Sequence, residues 1–176
     1  WDATDRPIFW AARAVRESKA KVINLPRACK EPELHEADCT CFHHEWGLAP
    51  TAGCATRDDA LLGSHLLRPG DRAIVVEGVT DVAACGPGFV ATLGASMSPR
   101  QAVILARSGV SEAVVLYDSD TAGEKGIPRA VAALSALLSV SVARCPPGED
   151  PGSLGREACL RLADRARRPD AVLDLV

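Results

Sequence analysis

A basic excess is what this sequence most plainly lacks. Its 20 lysines and arginines stand against 23 aspartates and glutamates, a formal net charge of −3 with a pI near 5.8. That leaves no global electrostatic footprint for nucleic acid, which is usually a basic face or a high pI. Any such binding must be local or rely on further parts of a longer protein. Long apolar runs are missing too, none approaching the ~20 residues of a membrane span, and no signal peptide opens the chain, so no membrane partner is expected. Aromatics make up 4% and Met97 is the sole methionine. With Trp1 at its start, the chain is expected to be a segment of a longer protein. The seven cysteines are odd in number and unevenly spaced, which argues against a secreted disulfide framework and for thiols or a metal site in a reducing, intracellular compartment. Repeats and low-complexity tracts are absent. The 176 residues suffice for one full domain, or a small domain with an appendage.

What is present centres on two apolar stretches that end in acid, Ala73-Ile-Val-Val-Glu-Gly78 and Ala113-Val-Val-Leu-Tyr-Asp118-Ser-Asp120. Runs of β-branched and aliphatic residues suit central parallel strands covered by helices on both faces. Ligands of open α/β sheets bind just outside the carboxyl ends of such strands. Glu77, Asp118 and Asp120 are therefore expected on one rim, where three like charges stay ionised only with a cation among them. Magnesium is the natural choice, because hard cations take carboxylate oxygens and magnesium leaves room for substrate phosphates. Asp118 and Asp120 share a side if strand geometry persists through them, and Glu77 would hold a second metal or move a proton. The chemistry these residues suggest is metal-assisted phosphoryl transfer.

Around these stretches the spacing predicts a parallel α/β sheet of about four strands with flanking helices. The strands are Arg72 to Glu77, Phe89 to Gly94, Ala113 to Asp118 and Ser139 to Arg144. Thr80 would cap a short helix through Cys85. Ser98-Pro99-Arg100-Gln101 has the capping-box arrangement for a helix ending before Gly109. The next helix begins either near Thr121, bending at Pro128, or at Pro128 itself, and a last helix covers Leu154 to Arg167. Asp81, in a first helical turn, also suits the helix dipole. Upstream, a strand near Trp10 and another at Lys21-Val-Ile-Asn24-Leu, ended by Pro26, read as a hairpin.

Residues 27–57 have no clear periodicity, yet they hold Cys29, His35, Cys39, Cys41, His43, His44 and Cys54. Thiolate and imidazole are the preferred zinc ligands, four to a structural site, and a metal would give an irregular segment a reason to be ordered. The set Cys29, Cys39, Cys41 and His44 is the expected one, with His35, His43 and Cys54 as substitutes.

Val75-Val-Glu77-Gly-Val-Thr-Asp81, Ala91-Thr-Leu-Gly94, Tyr117-Asp118-Ser-Asp120-Thr-Ala-Gly123 and Gly148-Glu-Asp150-Pro151 together resemble the successive motifs of the Toprim domain, in the form found in bacterial and phage primases. The resemblance implies a Rossmann-like sheet in which Glu77, Asp118 and Asp120 are catalytic and bind Mg²⁺ or Mn²⁺, with Asp150 assisting. The family's Asp-Pro-Asp motif is incomplete here, because Gly152 follows Asp150-Pro151. Phe9-Trp-Ala-Ala-Arg13 and Lys21-Val-Ile-Asn24 are similar to the primase segment before the Toprim part. That implies nucleotide or template contacts for Arg13, Lys21 and Asn24, with Asp81 and Lys125 added from the Toprim side. The expected division is a primase-like N-terminal segment (1–70) carrying the insertion, a Toprim domain (71–150) and a C-terminal helix packed on it (151–176). The implied function is primer synthesis on single-stranded DNA from nucleoside triphosphates, with a replicative helicase among the partners. A Toprim nuclease and a non-catalytic binding module are the alternatives. A topoisomerase fits least, since Tyr117, the lone tyrosine, falls inside a strand.

Overall fold

The computed structural model describes residues 10–13, 22–25 and 57–169. They fall in two compact units, residues 1–60 and 61–176. In the first, β1 (Trp10–Arg13) pairs antiparallel with β2 (Val22–Leu25), Trp10 opposite Leu25 and Asn24 opposite Ala11. The two strands stand where the hairpin was expected. Lys21 and the whole Cys/His set (Cys29, His35, Cys39, Cys41, His43, His44 and Cys54) lie outside the described residues.

The second unit alternates strand and helix: β3 (Arg72–Val76), α1 (Val79–Cys85), β4 (Phe89–Ala91), α2 (Pro99–Arg107), β5 (Glu112–Val115), α3 (Thr121–Ser135), β6 (Ser139–Val142) and α4 (Pro151–Asp164). The strands form one parallel sheet in the order β4-β3-β5-β6, the architecture that the alternation predicts. Residues 61–70 cluster with this sheet rather than with the preceding segment. Leu62 contributes, exchanging both backbone hydrogen bonds with Ala91 at 3.2 and 2.9 Å.

Period-two alternation sorts the strand side chains into two cores. Ala73 and Val75 of β3 join Ala113 and Val115 of β5 in packing against Ala102 and Leu105 of α2 and Ile127, Ala130 and Leu134 of α3. Ile74 and Val76 face the other way with Val114 and Leu116, towards Cys85 of α1 and Cys159 and Ala163 of α4. Both faces of the sheet are thus covered, which is why its strands read as unbroken apolar runs.

Several element ends differ from the sequence expectation. The strands stop earlier, at Val76, Ala91, Val115 and Val142. At β4 the reason is local: Leu93 has φ 62° and Gly94 φ 155°, which turn the chain out of the sheet. Gly78, not Thr80, caps α1, and its N–H donates to Asp81 Oδ2 at 2.8 Å. The α3 helix begins at Thr121 and runs through Pro128, which forgoes one helical hydrogen bond for lack of an N–H. The last helix starts at Pro151 and ends at Asp164, with Asp150 as its cap and Gly155 (φ 72°, ψ 171°) breaking its first part from the rest. The box at Ser98 and Gln101 is present as predicted, with Gln101 N–H donating to Ser98 Oγ at 3.1 Å and Ser98 N–H to Gln101 Oε1 at 2.9 Å.

A candidate metal site at the carboxyl rim

From β3 the chain crosses to β4 on one side and then back past β3 to β5 on the other. The crevice between the carboxyl ends of β3 and β5 is therefore the topological switch point, where no crossover connection covers the strand ends. Glu77 follows β3 and Asp118 lies just beyond β5. They meet there, Asp118 N–H donating to Glu77 Oε1 at 3.3 Å.

Asp120 is engaged differently. Its Oδ1 accepts from Ala122 N–H and Gly123 N–H, both at 2.8 Å, which makes it the cap of α3. With β5 ending at Val115, its placement owes to this capping turn and not to strand geometry carried onward. Asp150 caps α4 in the same manner, its Oδ1 accepting from Ser153 N–H at 2.8 Å. Asp81 is 5% exposed, its carboxylate turned back to the Gly78 amide. Lys125 is exposed on α3. Arg13 and Asn24 are described only as members of β1 and β2.

Two glycines make this crowding of acids possible. A Cβ on Gly123 would lie 2.2 Å from the Asp118 carbonyl oxygen and 2.7 Å from Glu77 Oε1. A Cβ on Gly152 would lie 2.9 Å from Asp81 Oδ1 and 3.0 Å from Asp150 Oδ1. The position where the Asp-Pro-Asp motif has its second aspartate is here the floor on which two other carboxylates approach. Thr-Ala-Gly123 and Pro-Gly152 stand in the sequence beside the acids, but nothing in the spacing marks them as contacts.

The electrostatics follow from this packing. Burial first, then the charge of Asp118, raises the Glu77 carboxyl to about 7, although the hydrogen bond from Asp118 N–H works the other way. Burial also raises Asp118 to about 6, with Asp81, Asp150 and Asp120 adding repulsion. Asp118 Oδ1 is buried and has no hydrogen-bond partner. Among the described residues, no arginine or lysine forms an ion pair with Glu77, Asp118, Asp120 or Asp150. An orphaned carboxylate oxygen amid like charges is a place where a divalent cation fits. Among the described residues no three His, Cys, Asp or Glu side chains form a closed ligand set. An ion here would draw its further ligands from water and phosphate, as magnesium commonly does.

Other chemistry is less well served. Cys85, Cys145 and Cys159 are free and buried, and burial raises the thiols of Cys145 and Cys159 to about 12, so they stay protonated. Tyr117 is 1% exposed, and burial pushes its phenol up, which unsuits it as a nucleophile. Among the described residues no helix is long and apolar enough to cross a membrane.

The acid pair also sets a pH dependence. Glu77 and Asp118 hold protons more tightly folded than unfolded, so their contribution to stability is full below the ordinary carboxylate range. It is lost as pH rises through about 6 and 7. We predict that the metal-free chain loses about 1–2 kcal/mol between pH 5 and pH 8, after discounting for solvent screening of half-buried groups. Mg²⁺ should restore it. Thermal melts in chelator at the two pH values check this, and a metal-free melting temperature that rises with pH would refute it.

The family described as Toprim-like matches residues 74–155, a span that contains Glu77, Asp118, Asp120 and Asp150. The chain is 34% identical over 106 residues to a DNA primase of Clostridium acetobutylicum, covering 55% of this chain and 18% of the relative. It is 30% identical over 160 residues to a DNA primase of Deinococcus radiodurans, covering 85% of this chain and 24% of the relative. The chain thus spans about a quarter or less of the length of these curated relatives. Among solved structures, the zinc-binding and RNA polymerase domains of Aquifex aeolicus primase align with a TM-score of 0.67 at 25% identity, over 92% of this chain and 38% of that one. The RNA polymerase domain of Mycobacterium tuberculosis primase aligns at 0.56 and 24% identity, over 89% of this chain and 48% of that one, a likeness of fold. With the acids of the matched span gathered at the switch point of a four-stranded parallel sheet, the chain carries a Toprim domain in the form that DNA primases have.

Proposed function

We propose that this chain is part of the catalytic core of a DNA primase, joining ribonucleotides into primers on a single-stranded DNA template. The observation that carries the reading is the meeting of Glu77 and Asp118 at the switch point, inside a span matched to the Toprim-like family and related to primases. Bound Mg²⁺ or Mn²⁺ would neutralise phosphate charge and lower the pKa of the attacking hydroxyl. Asp118, with its unpartnered oxygen, and Asp120, through the oxygen left free by capping, would hold the ion. Asp150 would assist from the α4 cap, and Asp81 would add negative charge from beneath. Glu77, whose proton is exchangeable near neutrality, would orient a second ion or accept the proton of the attacking hydroxyl.

Arg13, Lys21 and Asn24 are proposed as contacts to the template or the triphosphate, and Lys125 as countercharge on the α3 side. The insertion would bind zinc through Cys29, Cys39, Cys41 and His44. Single-stranded DNA, nucleoside triphosphates and a replicative helicase are the proposed partners, in an intracellular setting. The test is a template-dependent assay with labelled ribonucleotides on the full-length parent. Metal-dependent dinucleotide is the expected product. Cleavage of DNA or RNA in its place would establish a nuclease, and no product of either kind would point to a binding module.

A further inference from the structure

The loop after β4 is held by two polar side chains that the proposed chemistry does not use. Thr92 and Gln101 are each 0% exposed. Gln101 Nε2 donates to the Thr92 carbonyl at 2.9 Å, while its Oε1 accepts from Ser98 N–H at 2.9 Å. The Thr92 hydroxyl donates to the Gly94 carbonyl at 2.6 Å and lies 3.3 Å from that of Val76. The backbone completes the path, Thr92 N–H donating to the Val76 carbonyl and Gly94 N–H to the Glu77 carbonyl, both at 3.1 Å. Between them sits Leu93, left-handed at φ 62° and the one non-glycine residue with positive φ among those described.

A left-handed leucine persists only where its surroundings over-determine it. Burying an amide and a hydroxyl is costly unless each is fully paired. The pairings named here reach main chain at Val76, Thr92, Gly94 and Ser98, and the path they mark ends on the backbone of Glu77. Helix α2 is thereby tied to the rim: Gln101 fixes Thr92, Thr92 folds the chain at Gly94, and Gly94 anchors the residue that bears the carboxylate. On the far side the same loop meets α3, where a Cβ on Gly126 would lie 2.1 Å from the Ala95 carbonyl oxygen.

We infer that Thr92 and Gln101 are positioning residues for the metal rim, setting the orientation of Glu77 through the Gly94 turn. The inference rests on the metal-binding reading of Glu77 and Asp118 proposed above. The test uses the 176-residue chain, Mn²⁺ titration followed by electron paramagnetic resonance, and metal-free thermal melts. Thr92→Val and Gln101→Met should each weaken Mn²⁺ binding about tenfold, the scale of lost outer-sphere support, and Thr92→Ser should stay within about twofold of the parent. Glu77→Gln is the reference for the site itself and should weaken binding by more than about tenfold.

Unchanged affinity in Thr92→Val beside a weakened Glu77→Gln would overturn the positioning role. Equal losses in Thr92→Ser and Thr92→Val would overturn it too, because the hydroxyl would not be the cause. An unaffected Glu77→Gln would instead sink the metal-binding reading on which the inference stands. Should Thr92→Val fail to fold, Gln101→Met decides: it has no donor for the Thr92 carbonyl, so unaltered Mn²⁺ binding in the folded variant overturns the inference and weakened binding supports it.

Discussion

Asp118→Asn should raise the melting temperature of the metal-free domain while removing the activity of the full-length parent. The two effects have opposite signs because, in the proposed function, the carboxylate that is repelled in the fold is the one that holds the metal ion. Burial and the charges of Asp81, Asp150 and Asp120 already raise Asp118 to about 6, so at pH 8 it is ionised against its surroundings. Replacing it by a neutral isostere relieves that repulsion, by about 1 kcal/mol after discounting for solvent screening, or roughly 5 °C for a domain of this size. At pH 5, where the folded group is largely protonated but the unfolded one is not, the gain should shrink, and it vanishes only below the ordinary carboxylate range. Activity moves the other way, because the asparagine carries no charge to hold a divalent ion. Primer synthesis should fall roughly 10²–10³-fold, the usual scale when one electrostatic contributor is removed. Melts at both pH values and labelled-ribonucleotide incorporation decide it. A variant that melts lower at pH 8 and retains activity would remove Asp118 from the site. Stability given up for a charged site is a familiar trade in proteins.

Gly123→Ala is the second large effect, and its sign is opposite to the rule for helices. In a helix interior alanine normally stabilises by roughly 1 kcal/mol over glycine. Here the new methyl would stand 2.2 Å from the Asp118 carbonyl and 2.7 Å from Glu77 Oε1. The first contact is with backbone, which yields only by moving the turn between β5 and α3. That turn also carries Asp120, whose Oδ1 accepts from Gly123 N–H itself. A loss of about 2–3 kcal/mol is expected, the scale of an overpacked site, with a melting temperature lower by roughly 10 °C. Mn²⁺ binding should weaken as well, since Glu77 and Asp118 are parted by the same displacement. Gly88→Ala is the control, because a Cβ there meets nothing within 4 Å, although its φ of 93° adds backbone strain of its own. If Gly123→Ala proved as stable as the parent with unchanged Mn²⁺ affinity, the close approach of α3 to the rim would be wrong.

The readable parts of the fold were those with a repeating cause. Apolar runs at Ala73–Val76 and Ala113–Val115 read as strands because both their faces are covered, and Ser98-Pro99-Arg100-Gln101 read as a helix start because the box is local in sequence. Acids placed directly after such strands point to the rim for the same reason, since strand direction alone carries them to the carboxyl edge. The sequence therefore determined the class of sheet, singled out Glu77, Asp118 and Asp120 as its outstanding acids, and showed their likeness to the Toprim motifs. It could not tell that Asp120 and Asp150 spend part of their bonding capacity as helix caps, because capping and metal binding ask for the same residue type after a strand. Nor could it set the strand ends, which depend on where Leu93 and Gly94 turn the chain. Tertiary structure alone decided the rest: that Gly123 and Gly152 are the surfaces on which the carboxylates approach, and that Gln101 reaches back across nine residues to Thr92 and so to the backbone of Glu77. Those relations join positions distant in the chain through contacts with no periodicity, and only the packing of helix on sheet brings them together.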